Sequence, residues 1–497
     1  MKTDDIKTPM LSKSRYLAGL QCPLRLWHQC YNPELAAEVS PVQQALFDTG
    51  HQVGELATHR YPGGVLVRED YQHDKQAVRT TRAAINNPNV PAIYEAAFLH
   101  DGVRVRVDIL ERLDNGEWNL VEVKSSTSLK EVYLPDVAIQ YYVVQGAGLN
   151  IERTGILHIN NQYVYRGEEL ELEALFSFSD MTDQMLSLQQ GVPQTLAQMK
   201  SMLGKARPPR ILPSRHCTSP YLCEFWEHCT REMPEHWVME LSGISGEKLH
   251  QLAALGVRDI GDVPESFPLT TLQERIKRCV INNEAYVSGE LHDELSDVEY
   301  PVHFLDFETV SPAIPRYANT RPYQTIPFQW SDHILYEGKT VGHQEYLCEE
   351  YKDPRDEFAL TLLDALGSKG TIFAYTTYEK GIIGELAEYL AENRDQLIAT
   401  LDRFKDLCAL IRKGFYHPGF HGSFSLKSVL PALVPDMNYK TLAIQDGGQA
   451  SLDYLRTLDP SIPSEEKGKI KKDLLDYCCY DTLAMLKIRE ELLKLFH

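Results

Sequence analysis

The chain lacks long apolar runs. Across its 497 residues none approaches the ~18 consecutive apolar positions that a membrane-crossing helix needs. Its opening, MKTDDIKTPMLSKSRYL, has no apolar centre to serve as an export signal. Cytoplasmic residence is therefore expected, with no membrane partner. Disulfides are not expected either, because a reducing cytosol keeps thiols free. Positive charge is scarce: 50 Lys and Arg face 70 Asp and Glu, giving a formal net charge of −20. That argues against a protein that coats nucleic acid through its overall charge. It leaves room for an enzyme whose carboxylates hold cations that in turn hold phosphates. Local basic groups such as Arg104 with Arg106 would then guide the substrate, although such groups are more often solvated faces. Repeats and low-complexity segments are also absent.

What is present divides into three regions, in keeping with the two or three domains that this length accommodates. Residues 1–235 mix strands and helices and end in a cysteine cluster. Residues 236–298 read as a helical connector, whose polar His292–Tyr300 suits a linker. Residues 299–497 open on an apolar strand and close on an amphipathic helix from about Lys471 to Phe496. The fold class is α/β.

In the first region VRVRVDIL (Val103–Leu110) alternates as a strand does, and LVEVK (Leu120–Lys124) is a second strand beyond the turn signal DNGE. Residues two apart on a strand share a face, so Glu122 and Lys124 point the same way, with Asp108 on the adjoining strand. An acid inside an apolar strand is costly unless paired or metal-bound. The strand pattern alone allows an exposed Glu–Lys pair equally well. Further along, PDVAIQYYVV predicts a helix carrying Gln140, and FDTGHQVGELA places His51 near a helix start. In the order His51, Asp108, Glu122, Lys124 and Gln140 the chain resembles the RecB-like branch of the PD-(D/E)xK nucleases. The resemblance implies a restriction-endonuclease-like domain in which Asp108 and Glu122 hold Mg²⁺ or Mn²⁺. His51 would complete the coordination, Lys124 would activate the attacking water, and Gln140 would orient Lys124 or the nucleic-acid strand. Glu95 is a weaker candidate, read as structural.

Cys217, Cys223 and Cys229 fall within thirteen residues, too dense for core filling. Their spacing lacks the ~2–4 residue gap of paired zinc ligands, whereas an iron–sulfur cluster takes four thiolates at varied spacings. Cys22 is the expected fourth ligand and Cys30 its rival. The segment Leu11–Trp27 resembles the N-terminus of CRISPR-associated RecB-like nucleases, where one N-terminal and three C-terminal cysteines hold a [4Fe-4S] cluster. The first gap here is longer than in that group. Cys279, Cys348 and Cys408 read as core residues. Leu241–Val263 resembles a helix-hairpin-helix, a weak signal beside the simpler reading of a spacer.

In the last region HFLDFETV sets Asp306 and Glu308 on one strand face, where two acids repel unless a dication lies between them. Glu379 begins a predicted helix after a strand, and Tyr477 and Asp481 lie four apart on a late helix. This set resembles the DnaQ-like DEDDy exonucleases, which implies an RNase H-like 3′–5′ exonuclease fold. Asp306, Glu308, Glu379 and Asp481 would hold two metal ions and Tyr477 would orient the water. Glu379 stands where the family usually has Asp, and Asp402 and Asp406 rank below it. Cys478 and Cys479 read as packing residues. The runs RPYQTIPFQWSDH and FSLKSVLPAL resemble a bacterial family that joins both domains without a settled function. The expectation is a metal-dependent nuclease acting on DNA, with exonuclease action on single strands favoured, in repair or phage defence. RNA processing by the last domain and a non-cleaving nucleic-acid-binding adaptor are the alternatives. Oligomeric state is open.

Overall fold

The computed structural model of the chain describes residues 9–496. It is α/β with mixed sheets and forms two compact units. The first runs to Glu232 and takes in Pro312–Gln324; the second comprises Met233–Ser311 and the chain from Thr325 onward. The region expected as a separate connector thus belongs to the second unit.

The first unit contains β1 (Leu11–Ser12), α1 (Lys13–Gln21), α2 (Pro23–Tyr31), α3 (Pro41–Thr58), β2 (Val65–Leu66), α4 (Asp74–Asn86), β3 (Ala92–His100), β4 (Val103–Arg112), β5 (Trp118–Lys124), α5 (Leu134–Gly146), β6 (Ile151–Ile159) and β7 (Phe176–Asp180). Its sheet runs β2-β3-β4-β5-β6-β7, with β1 beside β4. The alternation of VRVRV buries Val103, Val105 and Val107 and turns Arg104 and Arg106 outward. Strands β3, β4 and β5 form an antiparallel meander. Strand β6 then pairs parallel to β5, which requires a crossover, and α5 supplies it. Val137, Ile139 and Val143 of α5 are fully buried, so this helix is fixed against the sheet that carries Glu122. Helix α3 starts ten residues before His51, where Ser40 and Gln43 form a capping box and Pro41 takes the first helical position. His51 therefore lies mid-helix, not near a helix start.

The second unit contains β8 (Tyr286–Val287), β9 (Val302–Val310), β10 (Ile326–Leu335), β11 (Val341–Leu347), α6 (Arg355–Leu366), β12 (Ile372–Ala374), α7 (Tyr378–Tyr389), β13 (Phe404–Asp406), β14 (Phe415–Tyr416), α8 (Leu426–Leu433), α9 (Gly447–Leu458) and α10 (Ser464–Lys494). Its main sheet runs β11-β10-β9-β12-β13. Strand β9 is antiparallel to β10 and parallel to β12. All ten residues of β10 are buried, so its polar groups need internal partners. Gln329 donates to the Leu474 carbonyl of α10 at 2.8 Å and thereby ties that helix to the sheet. The stretch expected as a linker is instead partly helical, over Leu291–Ser296, with Leu291 and Leu295 as buried anchors. No hairpin of helices forms over Leu241–Val263: a helix at Gly246–Ala254 is followed by one 3₁₀ turn, and the next helix begins only at Thr271. Pro264 and Pro268 account for the gap, because neither can continue a helix.

Two candidate carboxylate sites and a cysteine cluster

In the first unit a cleft is lined by His51 of α3, Asp108 of β4, and Glu122 and Lys124 of β5. Glu95 of β3 lines it too, in the left-handed backbone region (φ 55°) that a non-glycine residue enters only at a cost. Asp108 accepts a hydrogen bond from the Val123 amide at 2.7 Å. Glu122 is almost completely buried and fully engaged. Lys124 donates to it at 2.6 Å, Gln140 of α5 at 2.8 Å, and Lys13 to both its oxygens at 2.8 and 3.0 Å. Lys124 also pairs with Asp136 at 2.7 Å, and Lys13 approaches Asp136 at 3.5 Å. Burial pushes Glu122 upward, but Lys13 and Lys124 outweigh it and hold the carboxyl below its ordinary range. Burial and the charge on Glu122 raise Asp108 to about 8. Two residues here were missed by sequence reasoning. Asp136 lies one turn before Gln140 on α5, a signal that was legible. Lys13 lies in the polar run LSKSR, which shows no apolar period.

The cysteine cluster forms where α1 meets α2. Cys22 sits between these helices, and Gln21 donates to the carbonyls of His216 and Tyr221 at 2.7 and 2.8 Å. Arg25 and Gln29 both donate to Glu224, at 2.8 and 2.6 Å. Cys22, Cys217 and Cys223 are buried and Cys229 is half-buried; none is in a disulfide. Burial pushes the Cys217 thiol up, and the neighbouring Cys22 and Cys229 add to it. Cys30, the rival ligand, packs against the apolar core instead. Among the described residues, no three of these thiols lie within 4.8 Å of one another.

In the second unit Asp306 and Glu308 of β9, Glu379 at the start of α7, and Tyr477 and Asp481 of α10 line one pocket. Ligand oxygens of Asp306, Glu308 and Asp481 all lie within 4.8 Å of one another. Burial, then repulsion from neighbouring acids, raises three of the four acids: Asp306 well above its range, Glu308 to about 8, Glu379 to about 7. Asp481 is raised to about 6, chiefly by burial. Glu379 has one oxygen buried without a hydrogen-bond partner. Such a set fits a divalent cation, which would offset the repulsion and satisfy the orphaned oxygen. Tyr439 donates to Asp481. Lys427 of α8 reaches over the rings of Tyr439 and Tyr477 at 5.5 and 5.7 Å. Neither residue was expected; Lys427 lies in FSLKSVLPAL, whose spacing marks a helix but not its destination. Cys478 is more than packing, since its thiol reaches Asp306 at 3.5 Å. Asp406 caps its own helix through the Ala409 amide, and Asp402 is exposed at the end of the helix Arg394–Leu401. Cys279 and Cys348 are buried, and Cys408 is half-buried.

Residues 303–425 match a domain of unknown function, DUF2779. The match contains Asp306, Glu308 and Glu379 and ends before Lys427, Tyr477 and Asp481. No curated protein matches the chain. A solved structure described as "Crystal structure of SSO0001" aligns at 14% identity over 47% of this chain and 90% of that one, with a TM-score of 0.20. No membrane-length apolar helix occurs among the described residues.

Proposed function

We propose that this chain is a metal-dependent nuclease that hydrolyses phosphodiester bonds of DNA, with single strands favoured. The observation that carries the proposal is the pocket where Asp306, Glu308 and Asp481 converge beside Glu379 and Tyr477. Four acids with raised proton affinity, three of them buried and Asp306 half-buried, are poor company without a cation. Mg²⁺ or Mn²⁺ held by them would stabilise the attacking and leaving oxygens of the displacement. Tyr477, which lines the same pocket, would orient a water, and Lys427, which lines it too, would meet a phosphate. The sheet order β11-β10-β9-β12-β13, in which β10 alone runs against the other four strands, supports an RNase H-like reading of this unit. For the first unit, the β4–β5–α5–β6 arrangement of Asp108, Glu122, Lys124 and Gln140 supports the PD-(D/E)xK reading. The convergence of Cys22, Cys217, Cys223 and Cys229 supports a structural [4Fe-4S] cluster.

A second reading has its own observation. Both oxygens of Glu122 are taken by Lys13, Lys124 and Gln140, so a metal there must displace Lys13. On this reading the first unit grips nucleic acid and the second cleaves it.

The test is cleavage of end-labelled single- and double-stranded DNA and RNA with Mg²⁺ or Mn²⁺, comparing wild type, Lys124→Ala and Asp481→Ala. Distinct product losses in each variant support two live sites. Loss in Asp481→Ala alone supports the gripping role. A wild type inert on every substrate overturns the enzyme reading.

A further inference from the structure

The second unit holds another ligand set, away from its acidic pocket. His236 precedes the short 3₁₀ turn Val238–Glu240 that ends on Glu240, and His421 follows the turn Pro418–Phe420. Nδ1 of His421 lies 3.4 Å from Glu240 Oε2, and Nδ1 of His236 lies 3.7 Å from the same oxygen. The two imidazoles face one another nearly parallel, with centroids 5.6 Å apart and planes 22° apart. One ligand atom from each of the three residues lies within 4.8 Å of the other two.

Two features separate this from an ordinary ion pair. His236 Nδ1 and Glu240 Oε2 are both sealed from solvent, and neither makes a hydrogen bond. An imidazole and a carboxylate left to themselves would close to hydrogen-bond distance. The observed spacings instead match the ~3.4 Å that ligands keep around one tetrahedral ion with ~2.05 Å bonds. The backbone is also built to hold the set. His421 adopts the left-handed region (φ 48°), and at Gly422 a Cβ would fall 1.7 Å from the Glu240 carbonyl oxygen. Only glycine there lets the His421 turn press against Glu240.

We propose that His236, Glu240 and His421 form a binding site for a borderline divalent ion of the zinc class. Two nitrogens and one carboxylate oxygen suit such an ion better than Mg²⁺, which prefers oxygen throughout. Three protein ligands leave a fourth position open, and the half-exposed His421 side chain places that position at the surface. The bound ion would clip the 236–240 segment to the turn at 418–422.

Full-length protein stripped with chelator is titrated with Zn²⁺, and bound metal is counted by mass spectrometry. His421→Gly keeps the left-handed turn while deleting a ligand, and Glu240→Gln deletes the charge. Each is expected to lose one equivalent of zinc or to weaken it more than about 100-fold, beyond the cost of losing an outer-shell partner. Asp306→Asn and Cys229→Ala, which alter other sites of the molecule, should keep that equivalent. Zinc counts unchanged in both site variants overturn the proposal. A measurement on wild type alone guards against misfolded variants. Stoichiometric Zn²⁺ should shield His236 and His421 from diethyl pyrocarbonate, and unchanged modification of both also overturns it.

Discussion

The acids of the second unit make stability depend on pH in a direction that a metal should reverse. Glu308 and Glu379 are raised to about 8 and about 7, first by burial and then by their neighbours, and Asp481 to about 6, mainly by burial. A buried acid so raised keeps its proton in the folded chain and loses it in the unfolded one. Its contribution is complete below the ordinary carboxylate range and fades as pH rises through about 6 to 8. In chelator, the unfolding midpoint should therefore fall by roughly 3–10 °C between about pH 5 and pH 8.5. Mn²⁺ should restore most of it, and Asp306→Asn should flatten the chelated profile. A fall that neither change repairs would place the titrating groups elsewhere. Lys13 gives a second test at this scale. Its side chain is three-quarters covered, and its ammonium bridges Glu122 to Asp136. Lys13→Ala leaves those two acids sharing Lys124 alone, and should cost about 2–4 kcal/mol in denaturant unfolding. Because it also opens one acceptor position on each oxygen of Glu122, which keep only Lys124 and Gln140, Mn²⁺ should recover part of that loss. Recovery equal to that of wild type would mean that Lys13 does not occupy the cation's place.

At the scale of elements, the sequence shows its own geometry where a period meets a turn. Alternation in VRVRVDIL and LVEVK around DNGE marks β4 and β5, and PDVAIQYYVV marks α5; three elements then position Asp108, Glu122, Lys124 and Gln140. The Asp306–Glu308 strand and the late helix with Tyr477 and Asp481 are legible for the same reason. Helix α1 is not. It begins in a polar run and follows a two-residue strand that pairs with β4, about ninety positions away in the chain. Yet α1 carries Lys13 at its first turn and Cys22 at its end, so it spans from the Glu122 site to the cysteine cluster. Its seat depends on Gly19, where a Cβ would meet Met199 at 2.7 Å and Leu26 at 2.8 Å. Alanine can be absorbed by those flexible side chains. Gly19→Val should cost about 1–3 kcal/mol by overpacking, and should lower both bound iron and activity at the first site. Leu20→Ser, on the exposed side of α1, should change neither. If Gly19→Val keeps full iron content, α1 does not set the cluster's geometry.

The whole molecule departs from its sequence pattern at one insertion. A boundary near residue 299 follows from composition and strand order, but the chain returns to the first unit at Pro312–Gln324 before β10 begins. The return is specific. Ala313 is buried in an apolar cluster with Val121 and Leu157, the Asn319 amide donates to the Tyr165 carbonyl at 2.7 Å, and Tyr165 donates to Thr320 at 2.9 Å. Tyr323 donates to the carbonyl of Ser125, the residue after Lys124. No local pattern announces this, because its partners lie more than a hundred positions upstream. A fragment cut at 298 therefore lacks part of the first unit and exposes the surface that Ala313 and Tyr323 cover. Burying two such side chains stabilises by about 2–4 kcal/mol, a large share of a domain's total. The fragment should thus be cut by protease at least tenfold faster than the same region in the full chain. Adding a peptide of residues 312–324 at high concentration should slow that cleavage again. A fragment as resistant as the full chain would show that the first unit is complete without the insertion, and that its site can be studied alone.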